Sequence, residues 1–309
     1  MSKVVSGWPT TALWEACKLL GISRTGAKLL RIGQCATITL PVAGLVARVA
    51  RPGCPPQTLE AELYFARAAH EAGLPVVAPA DEVANAPILT PDGPVTFWPL
   101  LRPEASGELD WGWLGHTLRR LHQLSVPPGL PSLWDPLKRV EQRIAAYAAQ
   151  PSARPDYVSV LSGVCMEARK ELLQIPSARG VSLVHGDATP SNVIQTKQGP
   201  LLIDFDLAGV GPPEWDLMAA VVSHRRFGLA LEQVHCFLEA YGCDPAESES
   251  FRILRKVREL LDTSFALTLS GIDICAEREL AVRMRAWLNP DDRSGWTPLG
   301  TTLISVLKS

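Results

Sequence analysis

The segment Leu183–Asp206, which reads LVHGDATPSNVIQTKQGPLLIDFD, constrains the fold of this 309-residue chain more than any other stretch. Two apolar runs, Val181–Val184 and Leu201–Ile203, frame the polar part of this segment and have the length of short buried β-strands. Asp187 and Asn192 follow the first run. We therefore expect both side chains to lie on the loop that leaves this strand.

Asp204 ends the second apolar run, so polar groups follow both predicted strands. We expect Asp187, Asn192 and Asp204 to converge on one small volume. Phosphoryl transfer needs such a set, because a carboxylate takes the proton of the acceptor hydroxyl while an Asn and an Asp hold Mg²⁺ on the phosphates. The alternative is that Asp187 caps one turn and Asn192 lies in another.

The order of these residues is typical of kinases: an Asp, an Asn five positions later, then an Asp at a strand end. Here the motifs read His185-Gly-Asp and Ile-Asp-Phe-Asp206, and the run Gly209-Val-Gly-Pro-Pro-Glu-Trp-Asp216 follows. These sequence motifs resemble those of the aminoglycoside phosphotransferase and choline kinase-like family of small-molecule kinases. The resemblance implies an α+β, two-lobed protein kinase-like fold, with a small β-rich N-lobe and a larger, mostly helical C-lobe.

The predicted element order supports the same fold class, because strands dominate the first part of the chain and helices the rest. We assign a nucleotide-binding lobe to residues 1–101 and a catalytic and acceptor-binding lobe to residues 102–309, with the boundary near Leu101–Gly107. Strands are predicted at Ala27–Ile32, Cys35–Leu40, Leu45–Ala50 and Pro94–Leu101. A first helix is predicted to end at Leu20, with Thr10 or Thr11 as its N-cap and Gly21 as the residue that stops it. Further helices are predicted at Thr58–Glu71, Asp110–Leu124, Trp134–Ala149, Asp156–Leu173, Glu214–His224, Ala230–Ala240, Ser248–Ser270 and Glu277–Leu288.

The resemblance implies a catalytic role for Asp187, which accepts or orients the hydroxyl proton, and an orienting role for His185 in the same loop. It implies that Asn192 and Asp204 ligate Mg²⁺ through oxygen, the donor atom that this hard cation prefers. Asp206 is a further candidate for contact with metal or acceptor.

Asp216 precedes an apolar helix, so it either braces the catalytic loop or caps that helix, and we favour bracing. The Leu-His pair that ends at His122 also resembles the family. We expect His122 to be structural.

Arg48 stands on a predicted strand where a kinase has the Lys that contacts the α- and β-phosphates. A guanidinium can replace that Lys, since it binds phosphate in a bidentate manner. Glu62 falls on the apolar face of the next predicted helix, where a carboxylate needs a partner. We expect an Arg48–Glu62 pair, and the alternative is that Glu62 lies at the rim of the helix.

The remaining nucleotide-site candidates lie at the first hairpin and at the connector between the lobes. Gly33 is the only glycine at the hairpin turn, and the full glycine-rich signature of protein kinases is missing. The resemblance implies that the connector between the lobes holds the adenine through backbone groups beside an apolar wall, and Phe97, Trp98 and Leu100 could form that wall. The alternative for these side chains is a place in the core.

Charge and hydropathy exclude other classes. The net charge of −2 argues against general nucleic-acid binding, and no apolar run approaches the length of a membrane span. The seven cysteines, at positions 17, 35, 54, 165, 236, 243 and 275, lack paired metal spacing, which favours reduced thiols in the cytoplasm. The sequence does not predict an oligomeric state.

These observations predict a Mg²⁺-dependent phosphotransferase that moves the γ-phosphate of ATP or GTP to a hydroxyl of a small molecule. The acceptor could be an antibiotic, in which case the enzyme confers resistance, or a metabolite. One alternative is a non-catalytic nucleotide-binding or partner-binding pseudokinase. A protein kinase is disfavoured, because the segment from Asp204 to Glu214 is too short for its activation loop.

Overall fold

The computed structural model of the chain describes residues 7–33, 35–104, 108–126, 134–175, 180–242, 249–271, 273–289 and 291–299. These residues form two compact units. The first unit contains the described residues up to Leu109 together with Pro190–Ala208, and the second contains those of Asp110–Thr189 and those from Gly209 onward. Part of the predicted lobe boundary, at 105–107, lies outside the described residues, as do Cys243 and Ser248. The predicted division at residue 101 stays a prediction.

The first unit is built on a four-stranded antiparallel sheet in the order β1-β2-β3-β4. All four strands occur where the sequence predicts them. The strands are β1 (Lys28–Ile32), β2 (Cys35–Leu40), β3 (Leu45–Ala50) and β4 (Val95–Pro99). Helix α2 (Pro56–Glu71) connects β3 to β4 along the chain.

The two faces of this sheet carry different side chains. On one face, Ala47, Val49 and Phe97 join the apolar core that also contains residues of helix α1 (Trp8–Leu20). Side chains alternate along a strand, so Arg48 points to the opposite face. The sheet thus separates a hydrophobic core from the face that bears the predicted phosphate-binding cation.

Helix α1 starts earlier than the sequence predicts. Its N-cap is Gly7 and a proline, Pro9, lies in the first turn, where a missing N–H is tolerated. Thr10 and Thr11 therefore lie within the helix, and the prediction that one of them is the cap is wrong. Gly21 ends the helix in the left-handed conformation with φ of 67°, as predicted.

A small hairpin in the first unit holds the segment between Asn192 and Asp204. A 3-10 turn, Pro190–Asn192, leads into strand β6 (Val193–Thr196), which pairs with β7 (Gly199–Leu202). The N–H of Leu202 donates to the carbonyl of Pro75 at 2.9 Å, and the N–H of Val77 donates to the carbonyl of Leu202 at 3.1 Å. These bonds fix the backbone that leads to Asp204.

The second unit is mostly helical. Its helices are α3 (Trp111–His122), α4 (Pro136–Ala148), α5 (Pro155–Leu172), α6 (Glu214–Phe227), α7 (Leu231–Tyr241), α8 (Glu249–Leu269) and α9 (Ile274–Leu288). Each coincides with a helix predicted from the sequence. The strands of this unit, β5 (Ser182–Val184) and β8 (Gly209–Gly211), pair with each other in antiparallel orientation.

Helices α3 and α7 approach closely at Gly115. A Cβ atom at this position would lie 2.2 Å from the carbonyl oxygen of Phe237 and 3.2 Å from the backbone nitrogen of Tyr241. Only glycine allows this approach, because any side chain would force the two helices apart.

No helix in the described ranges is long and apolar enough to cross a membrane. The six cysteines within those ranges are free thiols.

Candidate active site

Asp187 lies on the loop after β5, and Asp216 fixes the backbone of that loop. The carboxylate of Asp216 accepts hydrogen bonds from the backbone N–H groups of His185 at 2.7 Å and Gly186 at 2.8 Å. The indole Nε1 of Trp215 donates to the carbonyl oxygen of Gly186 at 2.8 Å. Asp216 therefore braces the loop, which was the favoured interpretation of this residue.

The carboxylate of Asp216 is itself held by His122. Nε2 of His122 lies 3.0 Å from Oδ2 of Asp216, and Nδ1 of His122 lies 2.8 Å from the hydroxyl of Tyr241. Burial raises the pKa of Asp216, but His122 and His185 outweigh it and hold this pKa below its usual range. His122 thus has the structural role expected from the sequence.

The glycines of the run from Gly209 to Asp216 have a packing role. A Cβ at Gly209 would lie 2.6 Å from the backbone nitrogen of Trp134, and a Cβ at Gly211 would lie 2.7 Å from its indole ring. The ring of Trp134 in turn packs edge-on against Trp215, with centroids 5.4 Å apart. This run therefore positions Trp215 and Asp216, the two side chains that hold the loop.

His185 acts within the loop. Its Nδ1 accepts a hydrogen bond from the backbone N–H of Asp187 at 3.2 Å, and its side chain is buried. This contact is consistent with the orienting role predicted for His185.

The side chain of Asp187 contacts a residue that the sequence did not single out. Nη2 of Arg258, on α8, lies 2.8 Å from Oδ1 of Asp187 and 3.1 Å from Oδ1 of Asp262. Nε of Arg258 donates to Oδ2 of Asp262 at 3.3 Å. A signal was present in the sequence, because Arg258 falls on the apolar stripe of its helix with a carboxylate one turn away.

In the first unit, Asp204 accepts hydrogen bonds from two guanidinium groups. Nη1 of Arg48 lies 2.6 Å from Oδ1 of Asp204, and Nη2 of Arg31 lies 2.5 Å from Oδ2. Burial raises the pKa of Asp204, but Arg48 and Arg31 outweigh it and hold this pKa well below its usual range. The carboxylate is therefore ionised at neutral pH. Arg31 was not predicted, and the exposed hairpin around it offers no sequence signal.

Asp204 has φ of 68°, the only positive φ of a non-glycine residue among those described. This left-handed conformation is costly for a residue with a Cβ, although Asp tolerates it better than most. Such outliers cluster at functional sites, where the surrounding structure enforces them.

Arg48 also contacts the carboxylate on α2. Its Nη1 lies 3.2 Å from Oε1 of Glu62, whose side chain is only 3% exposed, and its Nη2 lies 4.0 Å from Oδ2 of Asp206. The predicted Arg48–Glu62 contact is thus present, and its role in nucleotide binding stays a prediction. Burial lowers the pKa of Arg48, but the carboxylates of Asp204 and Glu62 outweigh this effect and hold the pKa above its usual value. The guanidinium therefore stays charged.

Comparison with known proteins identifies the family. The sequence profile of the phosphotransferase enzyme family matches residues 37–259. The chain belongs to this phosphotransferase enzyme family. The predictions of an enzyme and of the small-molecule kinase family are therefore confirmed. No curated protein sequence matches the chain.

Solved structures similar to this phosphotransferase confirm the protein kinase-like fold. Spectinomycin phosphotransferase APH(9)-Ia, in complex with ADP and spectinomycin, is 16% identical with a TM-score of 0.61, covering 97% of each chain. The amicoumacin kinase hAmiN, in complex with AMP-PNP, Ca²⁺ and Ami, is 15% identical with a TM-score of 0.68, covering 93% of this chain and 95% of the kinase. A choline/ethanolamine kinase family protein from Mesorhizobium loti is 18% identical with a TM-score of 0.58, and the match covers 96% of this chain and 99% of that protein.

Asp204 and Asn192 of this phosphotransferase carry oxygen donors, the type of atom that a hard divalent cation prefers. Asp204 is an ionised carboxylate whose two oxygens contact Arg48 and Arg31, and Asn192, in the same unit, is buried and carries an amide oxygen. Within the described ranges, no three His, Cys, Asp or Glu residues form a metal cage of their own. A cation that binds through one or two carboxylates and the phosphates of a substrate needs no such cage.

The structure corrects one of the apolar nucleotide-site candidates. Phe97 lies in the core on the sheet face opposite to Arg48 and is 1% exposed, so it cannot form a wall beside a nucleotide on the Arg48 face. Trp98 points to the same face as Arg48, where its Nε1 donates to Oγ1 of Thr96 at 3.1 Å. Trp98 therefore remains the better candidate.

Leu100 and Gly33 also remain predictions. The N–H of Leu100 donates to the carbonyl of Gly44 at 2.8 Å, which fixes the chain just after β4. A Cβ at Gly33 would meet only one atom, the carbonyl oxygen of Cys35, at 3.9 Å. Packing therefore does not require glycine at this position.

Proposed function

We propose that this phosphotransferase moves the γ-phosphate of ATP or GTP to a hydroxyl group of a small molecule in a Mg²⁺-dependent reaction. Family membership supports the reaction class. The nucleotide donor and a divalent cation are supported by the ADP, AMP-PNP and Ca²⁺ named with the similar structures.

In this proposal the carboxylate of Asp187 accepts or orients the proton of the acceptor hydroxyl. His185 and Asp216 keep the loop backbone fixed, so that the carboxylate does not have to be ordered during the reaction. A positioned base of this kind contributes about 10²–10⁴-fold to the rate.

Asp204 and Asn192 would hold the metal, and Asp206, two residues after Asp204, is a further oxygen donor. A bound Mg²⁺ neutralises the charge that develops on the phosphate oxygens. Arg48, held by Glu62, would bind the α- and β-phosphates in place of the usual Lys. Trp98, Leu100 and Gly33 would contact the nucleotide.

The acceptor is proposed to be a small hydroxylated molecule, either an antibiotic or an amino alcohol or other metabolite. Spectinomycin and amicoumacin in the named complexes, and the choline/ethanolamine kinase family protein, support this range. An antibiotic acceptor would make the enzyme a resistance factor. The free thiols of the described cysteines support the predicted cytoplasmic location.

The observation that carries the proposal is the bracing of the Asp187 loop. Trp215 and Asp216 make three hydrogen bonds to the backbone of two residues, His185 and Gly186, immediately before Asp187. A nucleotide-binding module without catalysis has no need for a carboxylate held in this way. The bracing therefore favours an active enzyme over the pseudokinase alternative.

The test is to incubate the purified protein with Mg²⁺ and either ATP or GTP in the presence of separate acceptor panels. One panel contains hydroxylated antibiotics, the second contains choline, ethanolamine and polyols, and the third contains generic protein substrates. Mass spectrometry is expected to detect the gain of one phosphate on a small molecule. The Asp187→Asn variant serves as the control for contaminating kinases.

Two results would contradict the proposal. Phosphorylation of Ser, Thr or Tyr in proteins without any small-molecule product would indicate a protein kinase. Nucleotide binding without consumption, across all panels and both nucleotides, would favour the pseudokinase.

A further inference from the structure

Arg258 occupies an unusual position on α8. The buried side of this helix is apolar around it, with Leu254, Val257 and Leu261 nearby in the helical repeat, and the Arg258 side chain is only 8% exposed. A buried guanidinium is costly unless charged partners compensate it. The partners of Arg258 therefore indicate why it is there.

Asp262 fixes the orientation of the Arg258 guanidinium. It lies one turn further along α8 and binds the guanidinium through two contacts, Nη2 to Oδ1 at 3.1 Å and Nε to Oδ2 at 3.3 Å. A two-point contact between a planar guanidinium and a carboxylate defines the plane of both groups. Burial raises the pKa of Asp262, an effect that Arg258 partly offsets.

The same guanidinium then contacts Asp187, the proposed catalytic carboxylate, at 2.8 Å. Asp216 holds the loop backbone through His185 and Gly186, whereas Arg258 contacts the Asp187 side chain. The backbone and the side chain thus have separate supports, one from α6 and one from α8. A carboxylate on a loop has free rotation about χ1 and χ2 unless such a contact restricts it.

We propose that Arg258 is a positioning residue that orients the Asp187 carboxylate, and that Asp262 holds Arg258 in place for this purpose. The proposal rests on the proposed function, since it assumes that Asp187 is the residue that handles the hydroxyl proton. It adds α8 to the elements on which turnover depends.

The kinetic test uses Arg258→Leu, Arg258→Lys and Asp262→Asn with an acceptor from the panels described above. Arg258→Leu is expected to lower kcat roughly 10- to 100-fold, since misplacing a catalytic group by about 1 Å costs up to about 10² in rate. The Kd for ADP with Mg²⁺ should stay within about twofold, because the nucleotide candidates lie elsewhere in the chain. Arg258→Lys keeps the charge and should restore part of kcat, and Asp262→Asn should give an intermediate loss.

The matched control is Arg226→Leu. Arg226 is also a buried arginine paired with a carboxylate on α8, through Nη2 to Oε2 of Glu259 at 3.0 Å. Its loss should lower the melting temperature while kcat of the folded protein stays unchanged. If Arg258→Leu behaves like Arg226→Leu, with lower stability and normal kcat, Arg258 has a structural role only and the proposal is overturned.

A second measurement does not depend on activity. Asp187 in the wild-type protein and in Arg258→Leu is labelled with a carbodiimide and an amine, and the product is quantified by peptide mass spectrometry. Arg258→Leu, which removes the contact, should increase labelling of Asp187 several-fold, while labelling of the exposed Asp273 stays constant. Unchanged labelling would overturn the proposed contact. A wild-type protein that phosphorylates nothing would instead overturn the proposed function, so the two failures are distinguishable.

Discussion

Arg48 and Glu62 form an ion pair in the first unit, with Nη1 of the guanidinium 3.2 Å from Oε1 of the carboxylate. The pair joins the third strand of the sheet to helix α2. The Glu62 side chain is almost fully buried, so loss of Arg48 would leave its carboxylate buried without this guanidinium, whereas loss of Glu62 would leave Arg48 with Asp204 as its nearest carboxylate.

The two residues are therefore expected to be energetically coupled. Glu62→Ala should weaken nucleotide binding, and a double-mutant cycle with Arg48→Ala should give a coupling of roughly 0.5–3 kcal/mol in the free energy of nucleotide binding. Calorimetry with Mg-ADP measures this coupling. Glu60→Ala, an exposed carboxylate on the same helix, is the control and should have no effect. Strictly additive effects would mean that the pair does not act on the nucleotide site.

Asp187→Asn is expected to lower kcat by about 10²–10⁴-fold, because the amide cannot take up the hydroxyl proton. The Kd for nucleotide should barely change, since Asp187 is proposed to act on the acceptor. Steady-state kinetics and calorimetry on the same preparation separate these quantities. A variant with near-normal turnover would remove Asp187 from the mechanism.

Asp204→Ala is expected to abolish the part of ADP binding that depends on Mg²⁺, because it removes the ionised carboxylate proposed as a ligand. The measurement is a calorimetric titration with ADP in the presence of Mg²⁺ and again in the presence of a chelator. The wild-type protein should bind more tightly with Mg²⁺, and the variant should show equal affinities. Normal turnover of the variant across a Mg²⁺ titration would exclude Asp204 as the ligand.

Asp216 is expected to make the stability of the protein depend on pH. Its pKa in the folded state lies below its usual range, so its contribution is fully present above the unfolded value of about 3.9 and is lost as the pH falls through the lower folded-state value. At pH 7, Asp216→Asn should reduce the free energy of unfolding by about 1–3 kcal/mol, because two buried N–H groups lose a charged acceptor.

Urea denaturation of the wild-type protein and Asp216→Asn between pH 3 and 7 measures this dependence. The difference in the free energy of unfolding between the two proteins should become smaller towards pH 3. Acid destabilisation that affects both proteins equally does not change this difference. A difference that is constant over this range would mean that the ionised carboxylate does not brace the loop.

Much of the architecture could be predicted because periodicity and turn residues agree with each other. Short turns at Gly33 and at Pro41–Gly44 separate the segments that form β1–β3, and α2 has a continuous apolar face, so the local sequence alone indicates the type of these elements. Strand β6 was missed because its four residues, Val193–Thr196, carry no distinctive alternation and depend on pairing with β7. The cap of α1 was misplaced because two threonines offered a stronger local signal than Gly7.

The candidate site was predicted where chemistry and spacing coincide, and missed where only tertiary structure brings residues together. Glu62 and Arg258 carry the same signal, a charge on an apolar helical stripe, but only Glu62 had a partner suggested by the kinase order. Phe97 was misjudged because its exposure depends on strand register, which places it beside Ala47 and away from Arg48. A shift of the pairing by one residue would exchange the faces of Phe97 and Trp98, and the partners β3 and β4 are separated by all of α2 along the chain.

Because α3 and α7 approach closely at Gly115, we expect the thermal stability of the enzyme to depend on the absence of a side chain at this position. His122 on α3 and Tyr241 on α7 share a hydrogen bond across this helix pair, and His122 in turn holds Asp216. A methyl group at Gly115 would separate the helices and so weaken the hydrogen bonds of His122 to Tyr241 and Asp216. It would do so without contacting any residue proposed to act on the substrates. Gly115→Ala is thus the change we expect to yield a heat-sensitive enzyme, active in cool-grown cells and inactive in warm ones.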